Sequence, residues 1–205
     1  AKKTIGADGK LVPIIFRPFH EMEGGWFWWG RPHRTPEELI ALWRFTVEYF
    51  RDNLEVHNFL YAFSPDCKFF TREEYLIDYP GDNYVDVVGM DNYWDFRPDG
   101  ANDQVLAGKK IKIVSDLAQE KGKIAAMTET GLESIPDSSW FTKKLMPVLQ
   151  YEGSKIAYVM LWRNDNRMKH HFYAPYPGHA SVPDFLKFYN EAYTLFENDL
   201  KGIYK

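Results

Sequence analysis

The sequence predicts an α/β protein built on a parallel sheet. Apolar runs of strand length recur along the chain, and each opens into a polar loop and then a helical pattern, the repeating unit of an α/β barrel. The runs are continuous rather than alternating, as strands buried on both faces require. Two of them lead into glutamates, Glu21 and Glu129, at the C-terminal strand ends where such barrels carry their chemistry.

Val12 to Phe16 is the first strand, followed by a loop rich in Gly and Trp from Pro18 to Pro36. Thr35-Pro36-Glu37-Glu38 is a helix start: a Thr cap, Pro at the first helical position and acids in the first turn. Leu39, Leu42, Trp43 and Phe45 to Val47 keep helical spacing to about Arg51. Asn58 to Phe63 is the second strand, with Ser64 to Phe70 as its loop. Val85 to Met90 is the third and ends at Asp91-Asn92-Tyr93-Trp94. A helix from Asp103 to Lys121 is closed by Gly122. Ile124 to Met127 is the fourth strand and Ser139 to Glu152 a helix interrupted at Pro147. Ile156 to Leu161 is the fifth strand, ending at Trp162-Arg163-Asn164-Asp165, and Val182 to about Asn198 is the last helix. Right-handed crossovers follow from this order. Five units do not close an eight-stranded barrel, which needs about 250 residues. The chain is therefore either a smaller open α/β sheet or part of a barrel without its first three units.

Bulk properties narrow the function. The chain has 205 residues, 45% hydrophobic and 26% charged, as expected of a water-soluble domain. A net charge of −4 gives no electrostatic case for nucleic acid or an anionic membrane. No apolar run reaches the roughly 18 residues of a membrane span. No secretory signal is evident, although the chain starts Ala1-Lys2-Lys3 without an initiator Met, so processing or truncation is compatible with it. The lone Cys67 excludes an intrachain disulfide and has no evident base partner. His20-Glu21-Met22-Glu23 lacks the second His of a zinc helix, and the adjacent His170-His171 would not share a helical face. No metal or cofactor is expected.

The aromatic content is the outlier, with 7 Trp, 13 Tyr and 15 Phe. A large aromatic core would account for it. The cluster Trp26-Phe27-Trp28-Trp29 favours a carbohydrate cleft, because three indoles in four residues rarely all bury. Two carboxyl groups converging among indoles suggest glycoside hydrolysis.

The segment Arg17-Pro18-Phe19-His20-Glu21-Met22-Glu23-Gly24-Gly25-Trp26-Phe27-Trp28-Trp29-Gly30 resembles the acid/base region of glycoside hydrolase family 26, the β-mannanases. Met127-Thr128-Glu129-Thr130-Gly131 resembles that family's nucleophile strand. Phe172 to His179 and Tyr193 to Leu200 resemble its C-terminal signatures. The resemblance implies a (β/α)8 TIM-barrel glycoside hydrolase, with strands four to eight present and the first three β/α units lacking. Residues 1–205 would then be the C-terminal portion of a single catalytic domain. A barrel cut there has two unpaired edges and an exposed apolar interior, so a truncated piece or completion by a second chain is expected.

The implied activity is that of a retaining endo-β-1,4-mannanase. Glu21 would be the acid/base and Glu129 the nucleophile. Tyr93 and Arg17 are candidate hydrogen-bond donors to the nucleophile and join His20, Trp26, Trp162, Arg163 and Asp91 in the expected substrate-binding set. Arg163 is equally readable as pairing with an acid, and Trp28, Trp29 and Trp94 as packing the loops. Glu23 and Glu133 match no motif position. Other activities of the same family (β-glucanase, β-xylanase, mannobiose-releasing exo-enzyme) and a silent carbohydrate-binding fragment stand as alternatives. The expected partner is a β-mannan polysaccharide or oligosaccharide, which implies a secreted, periplasmic or cell-surface location, since the polymer does not enter cells intact.

Overall fold

Five strands form where the apolar runs predict them: β1 (Ile14–Phe16), β2 (Phe59–Phe63), β3 (Val87–Asn92), β4 (Ile124–Thr130) and β5 (Tyr158–Leu161). In the computed structural model, which describes residues 1–201, they lie side by side in chain order, all parallel. Helices α1 (Pro36–Glu48), α2 (Arg72–Tyr75), α3 (Gln104–Lys121), α4 (Met146–Leu149) and α5 (Val182–Tyr189) intervene or follow. The architecture is a partial (β/α)8 barrel. No helix among the described residues is long and apolar enough to cross a membrane.

Alternation along the strands separates two faces. Tyr61, Phe63, Val88, Ala125 and Met127 turn outward into a large core with Trp43, Ile111 and Trp140. Ala62, Val87 and Ala126 turn the other way, into a small cluster against Tyr158. Aromatic bulk thus lies between sheet and helices, where large side chains bury the most apolar area.

The start signals act as expected. Thr35 accepts the Glu38 N–H at 3.3 Å and Glu38 accepts the Thr35 N–H at 2.7 Å, so α1 opens on a reciprocal capping box. Leu39, Trp43 and Val47 then bury one face at a spacing of four. Asp103 caps α3, and Gly122 ends it in the left-handed region at φ 64°.

Three helices differ from expectation. The turn Tyr49–Asn53 after α1 widens to π-type bonding, so regular α-helix stops short of Arg51. Pro147 has no N–H to donate backwards, and the segment before it, Phe141–Leu145, widens in the same way. Only Met146–Leu149 is α-helical there. The last helix ends at Tyr189 because polar side chains take its final carbonyls: Asn190 Nδ2 donates to Leu186 at 2.6 Å and Thr194 Oγ1 to Phe188 at 2.6 Å. The single turn α2 is an addition to the expected elements, although Thr71-Arg72-Glu73-Glu74 carries a capping box of its own.

Strands β3 and β4 are not in simple register. Met90 pairs with Met127, but Asp91 pairs with Glu129, so Thr128 is an extra residue in β4. Gly89 makes room for it, since a Cβ there would lie 2.5 Å from the Thr128 methyl. Strand β4 continues through Glu129 to Thr130, three residues beyond its expected end.

Among the described residues β1 pairs only with β2 and β5 only with β4. These outer strands stay partly open: Ile15 is 46% exposed, whereas Val87 and Val88 are at 0%. An apolar cavity of about 500 Å³ flanks β5, lined by Leu149, Tyr158, Phe185 and Phe188 among others.

Candidate active site

The C-terminal strand ends converge on one cluster. Arg17 follows β1, Ser64 follows β2, and Asp91 and Glu129 are the next-to-last residues of β3 and β4. One carboxylate oxygen from each of Glu21, Asp91 and Glu129 lies within 4.8 Å of the others. Such a cluster is tenable only with cations or strong donors beside it. Arg17 supplies them: Nη1 donates to Asp91 Oδ2 at 2.8 Å, and Nη2 is ion-paired with Glu129 Oε1. Tyr93 donates its hydroxyl to the other Glu129 oxygen, Oε2, at 2.8 Å. Both oxygens of the buried Glu129 are therefore held by protein donors. The cation between Asp91 and Glu129 is thus a side chain, which leaves this carboxylate trio little basis for a metal ion.

Glu21 comes from a turn rather than a strand. It sits at φ 51°, a left-handed conformation rare outside glycine, and its N–H donates to the Ser64 carbonyl at 2.9 Å. Trp26 Nε1 donates to Glu21 Oε2 at 2.8 Å. Burial pushes the Glu21 carboxyl up to about 7, with the Asp66 charge adding to it against the Trp26 hydrogen bond. Glu21 is therefore about half protonated near neutrality.

The sequence model of Glycosyl hydrolase family 26 matches residues 3–172. The chain belongs to this family. The family 26 chain is similar to a mannan endo-1,4-beta-mannosidase of Bifidobacterium adolescentis, 38% identical over 205 residues, covering 92% of this chain and 20% of the relative. Among solved structures it is similar to GH26C from a Muricauda species, with a TM-score of 0.93 and 45% identity over 100% of this chain and 55% of that one. It is also similar to a GH26 beta-mannanase from Bacteroides ovatus, with a TM-score of 0.90 and 40% identity over 99% of this chain and 57% of that one. The chain thus spans a fifth of that curated relative and little more than half of each structure.

Within the family 26 frame, the remaining expected residues separate into two groups. Trp162 faces the cleft and, with Tyr93, Glu129 and Tyr173, lines a cavity of about 520 Å³. Trp26 and Trp28 are 52% and 68% exposed, so they are not core. Trp29, by contrast, stacks on Phe27 at 4.3 Å and packs the loop. His20 is half-buried at 4.9 Å from the Phe27 ring, and burial, then the Arg17 charge, holds its imidazole below the usual histidine range.

Asp91 does not reach the open cleft. It is fully buried, and its oxygens accept from Arg17, from Ser64 Oγ at 2.7 Å and from Thr128 Oγ1 at 2.7 Å. Its expected contact with sugar hydroxyls is replaced by a hold on Arg17. Arg163 pairs with Asp165 at 3.2 Å and lies 5.9 Å from the Trp162 ring, which realises the ion-pair alternative. Asn164 clamps backbone, accepting the Tyr173 and Ala174 N–H groups. Glu133 Oε1 lies within hydrogen-bond distance of His171 Nδ1, at 2.6 Å. Cys67 is buried, and burial pushes its thiol well up, which leaves it unreactive.

Sequence reasoning misses Ser64, Thr128 and Asp66. Ser64 and Asp66 follow β2 and Thr128 lies within β4, but which group each meets depends on a segment far away in sequence. Glu23 accepts the Asp66 N–H at 3.0 Å, and burial pushes its carboxyl up to about 8 from an ordinary value of 4.5. A carboxyl raised in the folded state stabilises below its unfolded value and loses that contribution as pH rises through the folded one. Stability is therefore expected to fall between pH 4.5 and about 8, by up to about 1.4 kcal/mol per pH unit. Urea midpoints taken across that window should show a shallower decline in Glu23→Gln. An unchanged slope would contradict the raised carboxyl.

Proposed function

We propose that residues 1–205 are the C-terminal portion of one catalytic domain of a retaining endo-β-1,4-mannanase. Its substrates are mannan, galactomannan or glucomannan, and it cleaves their β-mannosidic bonds through a covalent glycosyl-enzyme intermediate. The observation that carries the mechanism is the approach of Glu21 and Glu129 carboxylate oxygens to within 4.8 Å. Retaining pairs lie about 5–5.5 Å apart, whereas inverting pairs need roughly 6.5–9.5 Å to admit a water. The substrate class rests on the relatives named as mannanases.

Glu129, held at both oxygens by Arg17 and Tyr93, attacks the anomeric carbon. The bond to the leaving oxygen breaks, and Glu21 passes its proton to that oxygen. Glu21, now a carboxylate, then takes a proton from water as that water attacks the anomeric carbon and releases Glu129. Trp26 orients Glu21 through its N–H and, with Trp162, offers apolar ring faces to sugar C–H groups. Arg17 and Asp91 act beneath the sugar, by fixing the nucleophile. The open ladders of β1 and β5 suit closure by further β/α units, from a longer chain or a second one. A polymeric substrate places the enzyme outside the cytoplasm, secreted, periplasmic or at the cell surface.

The test separates the two steps. Glu21→Ala should cut reducing-end release from galactomannan by roughly 10²–10⁴-fold. It should spare the first chemical step on a dinitrophenyl glycoside, whose leaving group needs no proton. Equal losses on both substrates would remove the acid role. Faster release from β-glucan or xylan than from galactomannan would overturn the substrate.

A further inference from the structure

The loop after β2 carries a pair of charges that none of these roles uses. Lys68 Nζ lies 3.6 Å from Asp66 Oδ2 and 4.3 Å from the centre of the Trp26 ring. The same indole donates its N–H to Glu21 at 2.8 Å. Gly24 abuts the indole as well, since a Cβ there would lie 2.3 Å from the ring. Asp66 is itself fixed: Oδ1 accepts the Cys67 N–H at 2.8 Å, its own N–H donates to Glu23, and its backbone bridges to Asp91. A continuous set of contacts therefore runs from the end of β3 through Asp66 and Lys68 to the indole, and from the indole to Glu21.

We infer that Asp66 and Lys68 are positioning residues for Glu21, an ion pair that clamps the Trp26 indole and presents balanced charge to the acid/base carboxyl. The inference rests on the acid/base role proposed for Glu21. Lys68 holds the indole by cation–π attraction, with its ammonium over the ring and its side chain 55% exposed. Asp66, at 12% side-chain exposure, keeps the ammonium over the ring instead of in solvent. The charged groups that face Glu21 are Asp66 after β2, Arg17 after β1, Glu129 on β4 and Asp91 on β3, whose carboxylate oxygen lies within 4.8 Å. Of these, Asp66 alone takes no part in holding the nucleophile. Its negative charge favours the protonated form of Glu21, and the Lys68 ammonium, 3.6 Å from Asp66 Oδ2, is placed to offset that charge.

The experiment follows the Glu21 carboxyl directly, by 13C NMR titration of glutamate-labelled protein, with the resonance assigned by its loss in Glu21→Gln. Asp66→Asn keeps the acceptor for Cys67 but removes the charge, and should lower the Glu21 midpoint by about one pH unit. Lys68→Met keeps the stem but loses the cation and the clamp, and should raise it. Lys68→Arg, which retains a cation over the indole, should stay near the unaltered protein. Opposite movement is the signature of a charge pair, whereas a merely structural role would move both variants the same way. No movement in either, or movement in one direction, overturns the inference. The high-pH limb of hydrolysis should shift with the NMR midpoints. Midpoints that move while that limb stays fixed would leave the pair intact and remove Glu21 as the acid.

Discussion

If Glu129 is the nucleophile proposed above, Glu129→Ala should abolish hydrolysis, with an expected loss of roughly four orders of magnitude or more in kcat, because no other group would form the glycosyl bond. Glu129 is buried, and both its oxygens are engaged by Arg17 and Tyr93, so the carboxylate has one orientation. Replacing it leaves those donors without their partner, and the Arg17 to Asp91 bond remains. The variant should therefore fold, as near-UV circular dichroism would report through the tryptophans. Reducing-end assays on galactomannan are the check. Activity retained in a folded Glu129→Ala protein would end the nucleophile assignment.

Arg17→Met should cost about 3–5 kcal/mol of stability, the usual penalty for removing one partner from a buried ion pair. Arg17 bridges two carboxylates whose side chains are 0% and 5% exposed, and its own side chain is 17% exposed. Without it, Asp91 and Glu129 face each other unneutralised. Asp91 is already pushed well above the usual carboxylate range, first by burial, with Arg17 opposing that rise. Removing the guanidinium should drive a proton onto the pair. Guanidinium denaturation at neutral pH measures the loss, and the double variant Arg17→Met with Asp91→Asn should recover part of it. A stability within about 1 kcal/mol of the unaltered protein would mean that the bridge is not a net stabiliser. In the same variant kcat should fall further than KM rises, because a displaced nucleophile of near 1 Å can cost about 100-fold in rate.

Much of the fold is legible in local sequence chemistry. Val12 to Phe16, Asn58 to Phe63 and Ile156 to Leu161 declare their strands by uninterrupted apolar runs, and Thr35 and Gly122 declare helix ends by cap chemistry. These signals are carried by residues within one or two turns of each other. The departures have local causes too, but of a competing kind. Pro147 widens the segment before it rather than kinking a long helix, and Asn190 and Thr194 end α5 by taking its carbonyls. Glu129 is also legible, near the end of an apolar run, whereas Glu21 is marked by the motif around it and stands in a turn past β1.

Residue order alone dictates the succession of five β/α units, the strand ends at which polar groups gather, and the two carboxyl residues offered there. Which of these groups meet is settled by packing. Arg17 joins Asp91 and Glu129 across 74 and 112 residues of chain. The extra Thr128 in β4 sets Asp91 opposite Glu129, which makes Asp91 a buried anchor in place of the expected sugar contact. Apolar periodicity and capping depend on neighbours in sequence, so they can be read there. The partner of a buried charge depends on strand register and on which side chains exclude water, and those are fixed only when distant segments pack.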